Sequence, residues 1–316
     1  MPLPDDGSEL SSSCLYVGGL SAALRANRPG YDAVVICQRD RVKDCAEIGF
    51  GLRGLIIINE NIPPEQLLSL IQRRFWDVVN WKSRFDEALL SGCTMQDLVD
   101  MCPPILKNHI QITDASFMKL AQSTKVQCDC PICVKLKKFG YHPEEVVQEF
   151  RRHDLFSVWE QMNDIYYDSA TNVAKYPTLH RIFKFHGIYY AHVVMSCCNE
   201  PVTNGMADLF RIFTNALSVC IERRWESRMS CIHPYDSFLL DLLEGRISGL
   251  QETSSRASYT GLPIAGSFRI MQIVRDDKQD APLGKMMKAF AESCPRAKFL
   301  NYDDTIAVFL HSHSPA

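Results

Sequence analysis

Cys128, Cys130 and Cys133 stand in the run QCDCPICVK as a C-x-C-x-x-C cluster. Thiolates at that spacing suit a soft metal such as zinc, which takes four ligands, so three cysteines supply most of a site. The fourth donor would come from His142, His192, Cys197 or Cys198. Two further readings stay open: a thiol redox centre, and a helix-entry turn at Cys130-Pro131 in which the cysteines act as small buried hydrophobes. A second set of residues bears on small-molecule binding. Trp159, Tyr166, His186, Tyr190 and His192, with Tyr167 and Tyr189 beside them, carry apolar bodies with polar tips, a mixture suited to a cavity for an aromatic or polar metabolite. Which of them face inward depends on strand register, which the sequence leaves open. No nucleophile, base and orienting group stand together in a recognisable pattern, so the chain is read as a non-enzyme.

The composition narrows the classes further. The 316 residues are 46% apolar and 22% charged, enough for two or three packed domains and far from a disordered chain. A net charge of −3 predicts no broad attraction to nucleic acid or to an anionic membrane face. No apolar run reaches the roughly 18 residues needed to cross a bilayer. The N-terminus, MPLPDDGSELSSS, is acidic and polar and unlike a secretory signal, so a cytoplasmic location is expected. Thirteen cysteines, an odd number, then read as free thiols in a reducing compartment.

The elements that must position these residues can be read in order. Leu15–Val17, Ala33–Ile36 and Leu55–Ile58 are short apolar runs between glycine-rich turns, giving a small α/β unit over 1–62. Gly49, Gly51 and Gly54 match G-x-G-x-x-G, but the strand LIIIN follows the glycines instead of preceding them, which argues against a dinucleotide site. Connecting helices span 63–106. The first starts at Pro63-Pro64, and its Leu68, Ile71, Phe75, Val78, Phe85 and Leu89 recur at coiled-coil spacing with Lys82 interrupting; a dimer seam and a helix packed on its own domain are both consistent with this.

A sensor unit over 107–230 opens with the hairpin pattern HIQITDASFMKLAQ. Helical stretches follow at Pro143–His153 and Val158–Gln161, then the strands Ile182–Phe185 and Ile188–Ser196 and a helix from Thr203 to Ser230. Two strands, helices and again two or three strands is the order of a PAS or GAF sensor. A linker helix, FLLDLLEG, lies in 231–253, and SGLQETSSRASYTGLP reads as a polar loop. The segment 254–316 offers one strand, one helix and two strands, thin for an independent core. The expected class is therefore α+β: a small N-terminal α/β unit, a long connecting helix, a PAS/GAF-like antiparallel-sheet sensor and a partial GGDEF-like α/β unit.

In that order the residues resemble bacterial transcription regulators of the PucR/CdaR type. LYVGGL and the stretch from GLIIINENIPPEQ to ALLSG resemble the N-terminal unit and connecting helix of such a regulator. ITDASFMKLAQS and GYHPEEV resemble its PAS-like sensor, and FLLDLLEGRI with SFRIMQIVRDD resembles the entry to its GGDEF-like domain. The resemblance implies a small-molecule effector, a homodimer, and DNA binding only through a C-terminal helix-turn-helix absent from this sequence. Asn301-Tyr302-Asp303-Asp304 stands where a GG[DE]EF turn would lie, without paired glycines, so cyclic dinucleotide synthesis is not expected.

Overall fold

The computed structural model describes residues 1–3, 10–26, 33–38, 54–60, 62–170, 173–185, 188–227, 235–247, 249–260, 267–274, 283–294, 297–302 and 305–312. The described residues mix helices and strands in three separate sheets, an α+β chain. They divide into two compact units, Met1–Trp81 and Lys82–Ala316. The glycine motif before Gly54, the 303–304 turn and His186 lie outside the described residues.

In the first unit, β1 (Leu15–Gly19), β2 (Val34–Gln38) and β3 (Gly54–Ile58) form a parallel sheet in the order β1-β2-β3, with α1 (Leu20–Ala26) as the crossover from β1 to β2. Met1–Leu3 runs beside β1, where the Leu3 N–H donates to the Val17 carbonyl at 2.8 Å. Gly18 permits this approach, because a Cβ there would lie 2.8 Å from the Leu3 Cβ. Leu3, Tyr16, Leu20, Val35 and Cys37 share the core. The long helix α2 (Pro64–Leu90) starts in this unit and ends in the next. Its seam is split in character. Of the seam positions, Phe75 is exposed, Leu68, Ile71 and Val78 are half-buried, and Phe85 and Leu89 are buried; Leu70, Trp76 and Val79, off the seam, are exposed.

The second unit is organised around a five-stranded antiparallel sheet. Its helical entry is α3 (Met95–Asp100) and α4 (Pro103–Leu106); Thr94 and Asp97 close a reciprocal capping box on α3 that satisfies two helix-end donors. Then come β4 (His109–Asp114), β5 (Lys119–Gln122), α5 (Pro131–Phe139), α6 (Glu144–Arg152), α7 (Leu155–Gln161), β6 (Tyr166–Asp168), β7 (Thr178–Phe185) and β8 (Ile188–Ser196). The strand order is β5-β4-β8-β7-β6. α8 (Asn204–Ser227) packs across β7, and the Arg181 guanidinium of that strand donates to the Thr214 hydroxyl at 2.8 Å. The end of α2 joins α8 through the Phe85 and Phe213 rings, 6.1 Å apart, and through Arg223, whose Nη1 donates to the Leu89 carbonyl.

The C-terminal part differs from expectation in an informative way. β9 (Ser267–Val274), α11 (Leu283–Ser293), β10 (Lys298–Tyr302) and β11 (Thr305–Ser312) match the expected strand, helix and two strands, in the sheet order β10-β11-β9. That sheet is not left with a bare face. Ile306 and Val308 pack on α11, while Ala307 and Phe309 pack on α9 (Asp236–Leu243) and α10 (Leu250–Thr260) through Phe238, Leu239 and Ala257. The segment read as a linker helix and a polar loop therefore supplies the second layer of this core. LQETSSRASYT forms a helix despite its serines because tertiary contacts override weak propensity.

Arg256 is the most telling of those contacts. It is fully buried, and its Nη2 reaches the Asp241 Oδ2 at 2.8 Å, with Glu252 at 3.6 Å and the Phe238 ring beneath the guanidinium. The same Nη2 donates to the Ser116 hydroxyl at 3.3 Å, in the turn between β4 and β5, and Ser255 accepts from the Glu144 N–H at the start of α6. α10 is thereby bonded to both the hairpin and the helices of the five-stranded module. Removing one partner of a buried ion pair strands the other's charge, a loss of about 3–5 kcal/mol. Arg246 also reaches Asp241, at 2.9 Å, and softens the loss. Arg256→Ala is expected to lower unfolding free energy by about 3 kcal/mol in urea titration; unchanged stability would show that the pair carries no structural role.

Candidate functional site

The central strands of the five-stranded sheet, β4, β8 and most of β7, bury both faces, and register decides which side chains go where. Directly opposed residues share a face. Leu179, Met195 and Ile110 form one row, and Arg181, Val193 and Ile112 the next; this is the face toward α8. On the other face the rows are Thr178, Ser196 and His109; His180, Val194 and Gln111; and Ile182, His192 and Thr113. These polar groups are buried as well. A sheet face of histidine, glutamine, threonine and serine adds little to a core, since each polar atom taken from water must find a partner.

α5, α6 and α7 cover this face incompletely and leave a cavity of about 570 Å³, counted with its open mouth. Gln111, Thr113, Thr178, His180, His192 and Ser196 line its sheet side, and Phe150, Leu155 and Trp159 its helical side. Asp168 of β6 and His142, ahead of α6, also reach it. Phe117 completes the wall. This residue holds a left-handed backbone (φ 61°), which a bulky side chain rarely adopts. The Asp114 carboxylate fixes it by accepting from the Ser116 N–H, the Ser116 hydroxyl and the Met118 N–H, each at 2.9 Å. The turn that bonds to Arg256 is thus the turn that aims Phe117 into the cavity.

The histidines differ in how well they are satisfied. His109 donates from Nδ1 to the Val126 carbonyl at 2.8 Å and takes the Gln122 amide on Nε2 at 3.1 Å, so it is a completed core residue outside the cavity. Thr178, His180 and His192 form a chain, with Thr178 Oγ1 2.6 Å from His180 Nε2 and His180 Nδ1 2.9 Å from His192 Nε2. The His192 ring meets Trp159 edge-on at 4.6 Å. His142 packs edge-on against Phe150 at 5.5 Å, but its Nδ1 finds no hydrogen-bond partner among the described residues, and neither does Gln111 Oε1. Burial pushes His142 down to about 3 and His180 to about 4; it also holds His192 well below the ordinary value, helped by the nearby His180 and His142. All three are neutral at pH 7. Burial raises the Asp168 carboxyl.

Of the residues singled out for ligand binding, Trp159 and His192 line the cavity. Tyr166 and Tyr190 do not: Tyr166 lies on the edge strand β6, partly in solvent, and Tyr190 lies beyond the last cavity-lining residue of β8. Gln111, Thr113, Thr178 and His180 were not anticipated. Their signal was present as the alternation in HIQIT and TLHRI, but such alternation ordinarily marks a solvent face.

The cysteines converge at one end of the same site. Cys130 is the N-cap of α5 and Cys133 lies in its first turn, so the two side chains meet, and both line the cavity. The thiols of Cys128 and Cys130 interact with that of Cys133, and Cys128 also with Cys198, which extends from the end of β8. Cys133 reaches the Ser196 hydroxyl at 3.5 Å. Cys133 keeps its proton, raised by its two neighbouring thiols and by burial. Cys130 falls to about 5, first through the Cys133 thiol and then, against burial, through the backbone N–H groups of Lys175, Ile132 and Cys133; Cys128 falls to about 7, again through Cys133. Asp129 anchors the loop by bonds to Lys175 and to the Tyr176 hydroxyl. Among the described residues no group of three or more His, Cys, Asp or Glu side chains is spaced to hold a metal ion as it stands. Of the other donors considered for zinc, His142 and His192 belong to the cavity and Cys197, pushed up to about 12 by burial, is not in the thiol contacts. No helix among the described residues is long and apolar enough to cross a membrane.

Comparison with protein-family models and with curated proteins finds no match for this chain.

The neutral histidines predict a pH dependence with a definite sign. Their folded values lie below the ordinary 6.5, so the unfolded chain binds protons more readily and stability falls as pH drops below about 6.5 toward the folded values. At pH 5 each of His142 and His180 contributes a loss of about 2 kcal/mol. Asp168 acts in the opposite sense. Denaturant unfolding between pH 7.5 and 5 should show this decline, and His180→Gln should flatten it; a flat profile in the parent chain would mean that these imidazoles are solvated.

Proposed function

We propose that this chain is the ligand-sensing portion of a PucR-type transcription regulator, in which a small-molecule effector occupies the cavity between the five-stranded sheet and α5–α7. The observation that carries this reading is the cavity itself: a buried, polar sheet face roofed by aromatic side chains. The order of two strands, three helices and three strands in one sheet supports a PAS-like module, and the ordered resemblance along the chain supports the regulator class. The signal would travel by two routes that touch the cavity walls. One is the Phe117 turn, bonded through Ser116 to Arg256 and so to α9 and α10. The other is β7, bonded through Arg181 to α8, which packs on the end of α2. A ligand shifts these helices only by binding their two arrangements unequally.

The exposed Phe75 of the expected seam, with Trp76 and Val79 exposed near it, fits a homodimer in this scheme, while Phe85 and Leu89 of the seam are buried within the second unit. Sizing with light scattering at rising concentration should give a dimer that Trp76→Glu dissociates; a monomer at every concentration removes the dimer from the mechanism. For the effector, a metabolite screen by thermal shift should yield a ligand whose stabilisation grows with the logarithm of its concentration. That gain should vanish in His192→Phe. A ligand unaffected by that change would bind elsewhere.

One observation favours a second reading: Cys198 joins Cys128, Cys130 and Cys133 in a four-thiol cluster beside the cavity. A peroxide could oxidise two of these thiols to a disulfide, releasing two waters. Stoichiometric hydrogen peroxide should then consume two thiols, and peptide mapping should place the disulfide within this set; unreacted thiols would remove the redox reading. Metal analysis of the same protein separates ligation from oxidation, since one equivalent of zinc, lost in Cys130→Ser, would make the cluster a metal centre.

A further inference from the structure

We propose that the cavity selects a planar, non-anionic molecule that offers N–H or O–H donors, such as a neutral or cationic nitrogen-bearing aromatic compound. The inference rests on the reading of this cavity as a ligand site and adds the chemical class of the ligand.

Three observations converge on it. First, Gln111 Oε1 is a buried acceptor without a partner among the described residues, and only a donor can satisfy it. His142 Nδ1, equally buried and unpartnered, serves either role as its tautomer allows. Two side chains more than nine-tenths buried, both among the residues lining this cavity, thus carry unmet hydrogen-bonding capacity. Leaving such groups unpaired is costly, which gives a donor-bearing ligand its advantage over a purely apolar one.

Second, the charge in the lining has one sign. Asp168 is its carboxylate, and no lysine or arginine among the described residues lines the cavity. The nearby cations are engaged elsewhere: Lys175 with Asp129, Lys184 with the Glu160 and Met162 carbonyls, and Arg181 with Thr214 and Asn215 toward α8. The histidines do not compensate, being neutral. An anion entering here would lose its hydration without gaining a counter-charge, whereas a cation would meet Asp168. Third, Phe117, Phe150 and Trp159 offer aromatic faces and edges, which favour a flat ring over a branched aliphatic body.

Benzamidine, benzamide, benzoate and toluene test this directly, since they share one ring and differ in charge and donors. Titration calorimetry and thermal shift on the full chain are expected to show benzamide and benzamidine binding at least about tenfold more tightly than benzoate or toluene, the margin set by one satisfied buried acceptor. Gln111→Leu should bring benzamide down to the level of toluene and leave toluene unchanged. Asp168→Asn should weaken benzamidine but not benzamide, which checks the charge argument in a second variant. If benzoate binds as well as benzamide, or if Gln111→Leu leaves benzamide unaffected while it still binds, the ligand class is wrong and the cavity reading survives. If none of the four probes binds the parent chain at millimolar concentration, the cavity reading fails and the ligand class with it.

Discussion

A β-sheet that buries both faces must find partners for everything on them, and in the second unit of this chain one of those faces is polar. The opposite face, with Ile110, Ile112, Val193 and Met195, is an ordinary apolar layer under α8. The polar face satisfies part of its demand internally, through the Thr178, His180 and His192 chain and through His109 with Val126 and Gln122. It leaves Gln111 Oε1 without a partner among the described residues; Nδ1 of His142, ahead of α6, also lacks one, and there the roof of α5–α7 fails to close. Local conflict with the rules of stable packing is the pattern expected of a functional site.

The surrounding structure holds that conflict in place. Asp114 fixes the Phe117 turn in a left-handed conformation, and Arg256 bonds the same turn from outside. The guanidinium needs Asp241 and Glu252, which are carried by α9 and α10, and those helices are in turn the second layer of the small C-terminal sheet. A cavity wall, a buried ion pair and a neighbouring core are therefore consecutive links of bonded groups. Such continuity supplies a physical path, and a two-state rearrangement along it is what coupling would require.

Much of this architecture was legible in the residues. The hairpin, the strands around Ile182 and Ile188, the long α2 and the strand and helix order after Phe268 follow from period and punctuation. α10 was not, because its serines and glycine-flanked ends are loop-like and it is held as a helix by tertiary contacts of Arg256, Ser255, Ser254 and Ala257. The site was half legible. Trp159 and His192 carry the chemistry a cavity needs and were singled out, but Gln111 and His180 look like the solvent side of amphipathic strands until the register shows both faces covered. Cys198 stood among four candidate partners for the C-x-C-x-x-C cluster, and only the end of β8 in space chooses it over Cys197. His142, weighed as a metal donor, is a cavity wall instead.

The central claim is that this polar face is kept for a ligand and not for stability. The most direct measurement is the unfolding free energy of Gln111→Leu against the parent chain without ligand. Replacing an unpartnered buried amide by an apolar group of similar size should leave stability unchanged or raise it by about 1 kcal/mol. A loss of about 2 kcal/mol or more would mean that Gln111 serves the fold, and would contradict the account.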